Sequence, residues 1–447
     1  MKIETWSTER LSPYARELKK HEKALPKMVA ALQQWGFRIP ILVSSAGEII
    51  DGKLRYLAAV QLGMQEIPVV VADDLTPTQI RTFRLLVNRS ATWADWNDES
   101  LRIEMAELRL ALADLSVTGF DDRELDAILL DAVASGEKDP DSVPEFREPP
   151  VCQVGQVWQL GMHRLMCGDS TQPADVATLM SGEHADMVWT DPPYNVDYSS
   201  PAGKIKNDKM SPAEFLKFLY DLMNSAYDVL VDGGAIYVAH SEAGDGMAFR
   251  SAFQNVGFKL SCCLIWKKNQ LVMGRGDYHW QHEPILYGWK PTGKHVWYGD
   301  RKQRSFFEHF AGSVVQKVSE NVWQVASGDS ILRISGKDLV VEDLASSILS
   351  EPKPKKSELH PTMKPVALVE RMLANSSPRG GLVVDLCGGS GTTLIAAERL
   401  ARRCNMMEYD PRYADVIIRR WQEQTGKVAV LAGSRISYPQ EVEHGAE

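Results

Sequence analysis

From Val151 to Thr425 the chain repeats one alternation, a short apolar run followed by an amphipathic one. ADMVWT, GAIYVAH, KLSCCLIWKK, EPILYGW, GLVVDLC and NMMEYD read as strands. AEFLKFLYDLMNSAYDVL, DGMAFRSAFQNVG, VALVERMLANSS, TTLIAAERLARR and YADVIIRRWQEQT read as helices. Such alternation is the signature of an open, largely parallel sheet wrapped by helices. The expectation is an α/β fold, an open and mostly parallel sheet with helices on both faces.

The chain has 447 residues, more than one ordinary core holds. Its first part reads as a separate small α+β unit, residues 1–92. HEKALPKMVAALQQWGF has helical spacing, with Leu25, Met28, Val29, Leu32 and Trp35 on one face. The strand IPILVSS, the turn AGE, the helix-forming IIDGKLRYLAAVQLG and the strand IPVVVAD follow. Residues 93–150 read as an amphipathic helical segment running into a linker rich in acids and proline, GEKDPDSVPEFREPP, expected to be exposed. Beyond it, residues 151–289 and 360–447 form two halves of the α/β unit. An irregular, partly basic stretch, 290–359, separates them and contains β-like pieces such as SILRISGKDLVV.

The net charge of −9 argues against a chain that coats itself in phosphate. Charge is nevertheless local. Between Ile265 and Glu308 the bases Lys267, Lys268, Arg275, Lys290, Lys294, Arg301, Lys302 and Arg304 outnumber the acids Asp277, Glu283, Asp300 and Glu308. An acidic enzyme with one basic face fits this better than a general polyanion binder; a solvated loop is the alternative. Six cysteines without CxxC spacing fit a reducing cytoplasm, and His21, His163, His240 and His279 have no metal-like spacing, so no metal site is expected. The charged start MKIETWSTER and the lack of a long apolar run predict neither a secretory signal nor a membrane span.

Two strand-end loops carry the chemistry, at the place where open α/β sheets bind ligands. In LVVDLCGGSGTTLIAAE, Asp385 ends a strand, and Gly388, Gly389 and Gly391 let backbone turn sharply and approach a ligand. Thr392 opens a helix, and the next strand ends at Glu408, ahead of Asp410, where an acid accepts hydrogen bonds from ribose hydroxyls. Taken alone, this loop fits a nucleoside-bearing cofactor. A bare turn and a dinucleotide site are the alternatives, although Leu394 stands where GxGxxG needs its third glycine. In VWTDPPYNVDY, Pro192 and Pro193 stiffen the turn, so Asp191, the Pro192 carbonyl and Tyr194 form a rigid acceptor pair beside an aromatic ring. That set suits a planar heterocycle with an exocyclic amine.

The pair of motifs resembles the S-adenosylmethionine-dependent amino-methyltransferases of DNA, in their β-type order with the catalytic motif first. The resemblance implies a Rossmann-like methyltransferase fold. It implies that Asp191, Pro192, Pro193 and Tyr194 are catalytic, and that the loop with Asp385, Gly388, Gly389, Gly391, Thr392, Glu408 and Asp410 holds the cofactor. Cys167-Gly168-Asp169 is similar to the family's upstream Gly-Asp pair, so Asp169 joins that set. HPTMKP is similar to the segment touching the methionine end, so Thr362 and Lys364 join it too. WQHEPILYGWK resembles the strand pair beside the target pocket. Leu386-Cys387 departs from the usual Pro-Phe. The resemblance further implies double-stranded DNA as partner, no membrane, and a homodimer as one assembly it allows. Lys267, Lys268, Arg275, Arg301, Lys302 and Arg304 are the expected DNA contacts, and 290–359 is either the target-recognition region or a structural insertion. DPPY rather than SPPY favours adenine N6 over cytosine N4. The rival reading is a DNA-binding or partition-type protein with an inactive methyltransferase domain.

Residues 1–92 resemble the ParB/sulfiredoxin-like domain through IDGKLRYLAA, the following LGMQEIPVVV and the preceding LSPYARELKKH. The resemblance implies a phosphate-holding turn at Asp51, Gly52 and Arg55, consistent with anion binding at a helix start. Glu17-Leu18-Lys19 replaces the Asn-Pro-Arg often found there, so a docking scaffold stands beside a nucleotide site as a reading of this domain.

Overall fold

The computed structural model describes residues 2–15, 21–90, 93–111, 114–130, 138–196, 199–200, 203–204, 208–241, 246–272, 280–299, 303, 305–307, 314–319, 322–327, 330–335 and 363–439. The chain divides into two compact units, Met1–Glu137 and Lys138–Glu447.

The first unit contains β1 (Ile3–Ser7), α1 (Leu25–Trp35), β2 (Ile41–Val43), β3 (Ile49–Asp51), α2 (Lys53–Gln61), β4 (Glu66–Val71), α3 (Pro77–Ser90), α4 (Asp98–Leu110) and α5 (Asp122–Leu129). The sheet order is β1-β4-β2-β3, with β2 and β4 parallel and the outer pairs antiparallel. Ile41, Val43, Ile67 and Val69 alternate into a core that Leu32, Ala58 and Ala59 complete from α1 and α2. Leu25, Met28 and Val29 pack on it as their spacing predicts, but Trp35 is 54% exposed. It sits in the last turn, where the Gly36 backbone N–H already closes the helix on Leu32. The helices of 93–130 form their own small core of Met105, Leu115, Leu125 and Leu129. Asp121 and Glu124 form a reciprocal cap at the start of α5.

The second unit opens with β5 (Val157–Leu160), β6 (His163–Cys167), α6 (Pro173–Met180) and β7 (Ala185–Thr190), then a two-residue ribbon, β8 (Ser199–Ser200) and β9 (Gly203–Lys204). α7 (Pro212–Val229), β10 (Leu230–Ala239), α8 (Gly246–Asn255), β11 (Lys259–Val272), β12 (Trp280–Trp289) and β13 (Phe306–Phe307) follow. A three-stranded antiparallel sheet, β14 (Val314–Ser319), β15 (Val322–Ser327) and β16 (Ser330–Ser335), stands in the region between the two halves. The chain then runs through α9 (Val366–Ser376), β17 (Leu382–Asp385), α10 (Thr392–Arg399), β18 (Arg403–Glu408), α11 (Pro411–Thr425) and β19 (Val430–Leu431).

The main sheet runs β13-β11-β12-β10-β7-β17-β18-β6-β5-β19. Its central five strands, β10 to β6, are parallel; antiparallel strands extend both sides, and the edge strand β13 runs parallel to β11. From β7 the chain moves outward to β10; from β17 it moves the opposite way to β18. Right-handed crossovers in opposite directions place helices on opposite faces. Accordingly α6, α7 and α8 cover one face around Leu219, Phe249 and Phe253, while α9, α10 and α11 cover the other around Val369, Ile395 and Trp421. The crevice between β7 and β17 is therefore the topological switch point, open at the strands' C-terminal edge.

The acidic, proline-rich stretch is not a free linker from Lys138 onward. The Pro140 carbonyl accepts from Arg420 (2.7 Å), the Asp139 carbonyl from Gln424 (2.8 Å), the Glu145 carbonyl from Arg419 (2.6 Å), and the Asp141 carboxylate from the Val366 N–H (2.8 Å). Three of these contacts tie the stretch to α11, and the fourth ties it to the start of α9. At its end the buried Asp415 carboxylate accepts the Val151 and Cys152 N–H groups at 2.7 and 2.9 Å. Asp415→Ala should lower the unfolding free energy by about 2–4 kcal/mol, because two backbone donors lose their only carboxylate. Urea melts read this directly; a loss below about 1 kcal/mol would mean water replaces Asp415.

Candidate active site

Parallel strands end on the same edge, so the loops after β7, β17, β18 and β6 stand in a row. The register fixes it: Val384 lies opposite Val188, Asp385 opposite Met406, and Glu408 opposite Cys167. Asp191, the glycine-rich loop, Glu408 and Asp169 thereby face one crevice, although Asp169 and Glu408 are far apart in sequence.

The DPPY turn is rigid for a reason beyond its prolines. Asn195 adopts φ +62°, and its amide clamps the Met210 backbone from both sides, accepting at 2.6 Å and donating at 3.1 Å. Pro192 is buried, while Asp191 and Tyr194 face the crevice half-buried. Tyr194 packs edge-on against Phe249, ring centroids 6.2 Å apart, and its hydroxyl donates to Asp191 Oδ1 at 2.6 Å.

Charge is concentrated here. Lys364 Nζ lies 2.6 Å from Asp191 Oδ2, 3.0 Å from Glu283 Oε2 and 3.0 Å from the Tyr194 hydroxyl. Lys268 pairs with the other oxygen of Glu283. Both ammonium groups lie over the buried Trp266 ring, Lys268 at 5.8 Å and Lys364 at 6.0 Å from its centroid. Burial pulls the Lys364 ammonium towards neutrality, but Asp191 and Glu283 outweigh it and hold its pKa above the ordinary lysine value. Burial likewise pushes Glu283 up, and Lys364 and Lys268 reverse that and hold it below the usual carboxylate value. Burial, then the two neighbouring carboxylates, keep the Tyr194 phenol neutral.

The glycine-rich loop is built with an inner and an outer side. A Cβ on Gly388 would lie 2.8 Å from Met406 Cγ, and one on Gly391, at φ +84°, would lie 3.1 Å from Ile417. Gly389, at φ +53°, meets nothing within 4 Å, so its outer face is open space. The Gly389 N–H donates to Glu408 Oε2 at 2.8 Å, and Asp410 N–H donates to Oε1 at 2.8 Å. Asp385 accepts Thr393 Oγ1 at 2.6 Å and Cys387 N–H at 3.0 Å. Buried Arg420 braces the loop through the Ser390 carbonyl at 2.8 Å. An open backbone face flanked by the carboxylates of Glu408 and Asp169 fits a nucleoside with ribose hydroxyls to donate.

Burial pushes Asp385 up to about 8, against the hydrogen bonds from Thr393 and Cys387, and pushes Glu408 up to about 7, against those from Asp410 and Gly389. Both folded-state values lie above the unfolded ones, so the folded protein retains protons that the unfolded chain releases. The stability these groups contribute is complete at low pH and is lost as pH rises through about 7 to 8. The melting temperature should therefore fall from about pH 5 to about pH 8, and Glu408→Gln should flatten that slope. A slope identical in Glu408→Gln would remove Glu408 from this account.

The structure distributes the expected residues unevenly. Asp191, Tyr194, Asp385, Gly388, Gly389, Gly391, Glu408 and Asp169 line the one edge. Lys364 is held at Asp191. Asp410 caps α11 and pairs with Arg412 at 2.7 Å, and buried Thr392 faces Arg420 at 3.3 Å; both support the loop. Lys268 is spent on Glu283, and Lys290 is turned inward to the Tyr227 and Leu230 carbonyls. Thr362, Arg275, Arg301, Lys302 and Arg304 lie outside the described residues. In the first unit Gly52 sits at φ +95° ahead of α2, and Arg55 lies 3.1 Å from Asp51. Among the described residues no helix is long and apolar enough to cross a membrane, and no three His, Cys, Asp or Glu side chains are placed to hold a metal ion. Sequence reasoning missed Glu283, Asn195 and Arg420 as site residues. For Glu283 a signal existed, since it lies in the strand flagged as flanking the target pocket.

A family described as DNA methylase matches residues 185–419, more than half of the chain, and one described as ParB-methyltransferase HTH domain matches residues 99–154. The chain is similar to the type II methyltransferase M2.DpnII of Streptococcus pneumoniae, 25% identical over 262 residues, 55% of this chain and 85% of that protein. It is similar to the DNA adenine methyltransferase YhdJ of Escherichia coli K12, 24% identical over 253 residues, 53% of this chain and 76% of that protein. Among solved structures, the PvuII DNA methyltransferase, cytosine-N4-specific, aligns at 16% identity and TM-score 0.40, covering 63% of this chain and 90% of that one.

Proposed function

The chain belongs to the DNA methylase family of adenine-N6 and cytosine-N4 enzymes, and from that premise we propose that it methylates adenine N6 in duplex DNA, with S-adenosylmethionine as donor. The observation that carries the reading is the Asp191 cluster, set across the switch-point crevice from an open glycine-rich loop. Glu408 and Asp169 would hold the ribose of S-adenosylmethionine, and the backbone at Gly389 would lie against it. When bound, S-adenosylmethionine supplies an activated, electrophilic methyl group.

The chain's own residues then have a limited task. Asp191 and the Pro192 carbonyl accept the two N–H bonds of an exocyclic amine and aim its lone pair into the crevice. The Asp191 carboxylate stabilises positive charge as it develops on that nitrogen. A paired base hides its amine, so the base must leave the stack, with the Tyr194 ring as its partner. An aspartate rather than a serine before Pro-Pro favours adenine, and the similarity to an adenine-specific relative supports it.

The test is transfer of tritium from labelled S-adenosylmethionine to unmethylated duplex DNA, followed by digestion to nucleosides. Label in N6-methyl-2′-deoxyadenosine supports the proposal. Label in N4-methyl-2′-deoxycytidine overturns the choice of base, and no label overturns the activity.

A further inference from the structure

Lys364 lies in a segment whose resemblance assigns it to the cofactor, yet its ammonium is committed elsewhere. An ammonium has three N–H donors. Asp191 Oδ2, Glu283 Oε2 and the Tyr194 hydroxyl stand within hydrogen-bond reach of Nζ, at 2.6, 3.0 and 3.0 Å. Lys364 is 3% exposed, so water does not compete for it. The two carboxylates that share it stand close together. Without a cation between them, two such carboxylates repel. An Asp191 side chain turned away from Glu283 can no longer accept the hydrogens of an amine and stabilise positive charge on it.

We propose that Lys364 is a positioning residue for methyl transfer. It balances the negative charge of Asp191 and Glu283 and holds the Asp191 carboxylate towards the crevice. Glu283, pinned from its other side by Lys268, holds Lys364 in turn. This rests on the methyl-transfer reading above and adds to it a split of duties: the glycine-rich loop sets cofactor affinity, and Lys364 sets the rate once both substrates are bound. Glu283 reaches the site because β12 runs past the end of β10, where the His240 N–H donates to the Pro284 carbonyl at 3.0 Å.

The experiment compares the full chain with Lys364→Met, Lys364→Arg and Lys364→Met/Glu283→Gln. S-adenosylmethionine affinity is read by calorimetry, and tritium transfer to unmethylated DNA is read at saturating concentrations of both. Lys364→Met should lower the saturated rate about 10²-fold and change the affinity by less than about threefold. Lys364→Arg should retain about a tenth of the wild-type rate, since it keeps the charge but not the geometry. Removing the second carboxylate in the double variant should recover about tenfold over Lys364→Met, because repulsion at Asp191 disappears. A wild-type saturated rate with tens-fold weaker S-adenosylmethionine binding in Lys364→Met would overturn the proposal, and so would a double variant no faster than the single one. Absence of transfer by the wild-type chain would sink the methyl-transfer reading itself, a result distinct from either.

Discussion

Asp191→Ala should lower methyl transfer about 10³-fold while S-adenosylmethionine affinity stays within about threefold of wild type. The size follows from what the carboxylate does. On the proposed function, it accepts from the amine and faces the nitrogen that becomes positive. The small effect on affinity follows from the architecture, since Asp191 leaves β7 whereas the glycine-rich loop and Glu408 leave β17 and β18. The substitution also frees one of the three partners of Lys364, but Glu283 remains on it, so no buried charge is stranded. Asp191→Asn separates the contributions: the shape is kept, the charge is lost, and one acceptor becomes a donor. It should fall nearly as far. Turnover near wild type in either variant would refute the assignment of Asp191.

Gly389→Leu should weaken S-adenosylmethionine binding by about 10²-fold and leave the fold in place. Overfilling a site costs about 1–3 kcal/mol, and each 1.4 kcal/mol is tenfold in affinity. What makes this residue informative is the contrast with its neighbour. A side chain on Gly388 would strike Met406, so a variant there disturbs the protein whether or not anything binds. A side chain on Gly389 meets open space, and its only internal cost is the left-handed backbone, about 1–2 kcal/mol. Calorimetry with S-adenosylmethionine and a melting curve together decide it. Unchanged affinity in a folded Gly389→Leu protein would place the cofactor somewhere other than this loop.

Much of the fold was legible because its signals are local. Runs such as ADMVWT and LVVDLC are largely apolar, which suits strands buried on both faces. The helices between them carry one apolar stripe each. The stretch after Lys138 is exposed or half-buried, as its acids and prolines predict, but its docking is not legible there, just as periodicity does not tell where a helix's last turn, at Trp35, meets solvent. Docking depends on Arg419, Arg420 and Gln424, residues roughly 280 positions away.

The sequence by itself determined the parallel α/β core, the two strand-end loops and the residues Asp191, Tyr194, Gly389 and Glu408, because each is written in a few consecutive positions. The tertiary structure decided which groups meet there. The sequence marks Lys364 for the cofactor and sets Glu283 in the strand pair beside the target pocket, but Lys364 stands 173 positions from Asp191 and Glu283 stands 89 from Tyr194, so their pairing is not written in any one stretch. Whether a lysine is a surface charge or the partner of two buried carboxylates depends on desolvation and distance. Both arise only when the fold brings the loop after β7, the start of β12 and the segment ahead of α9 together.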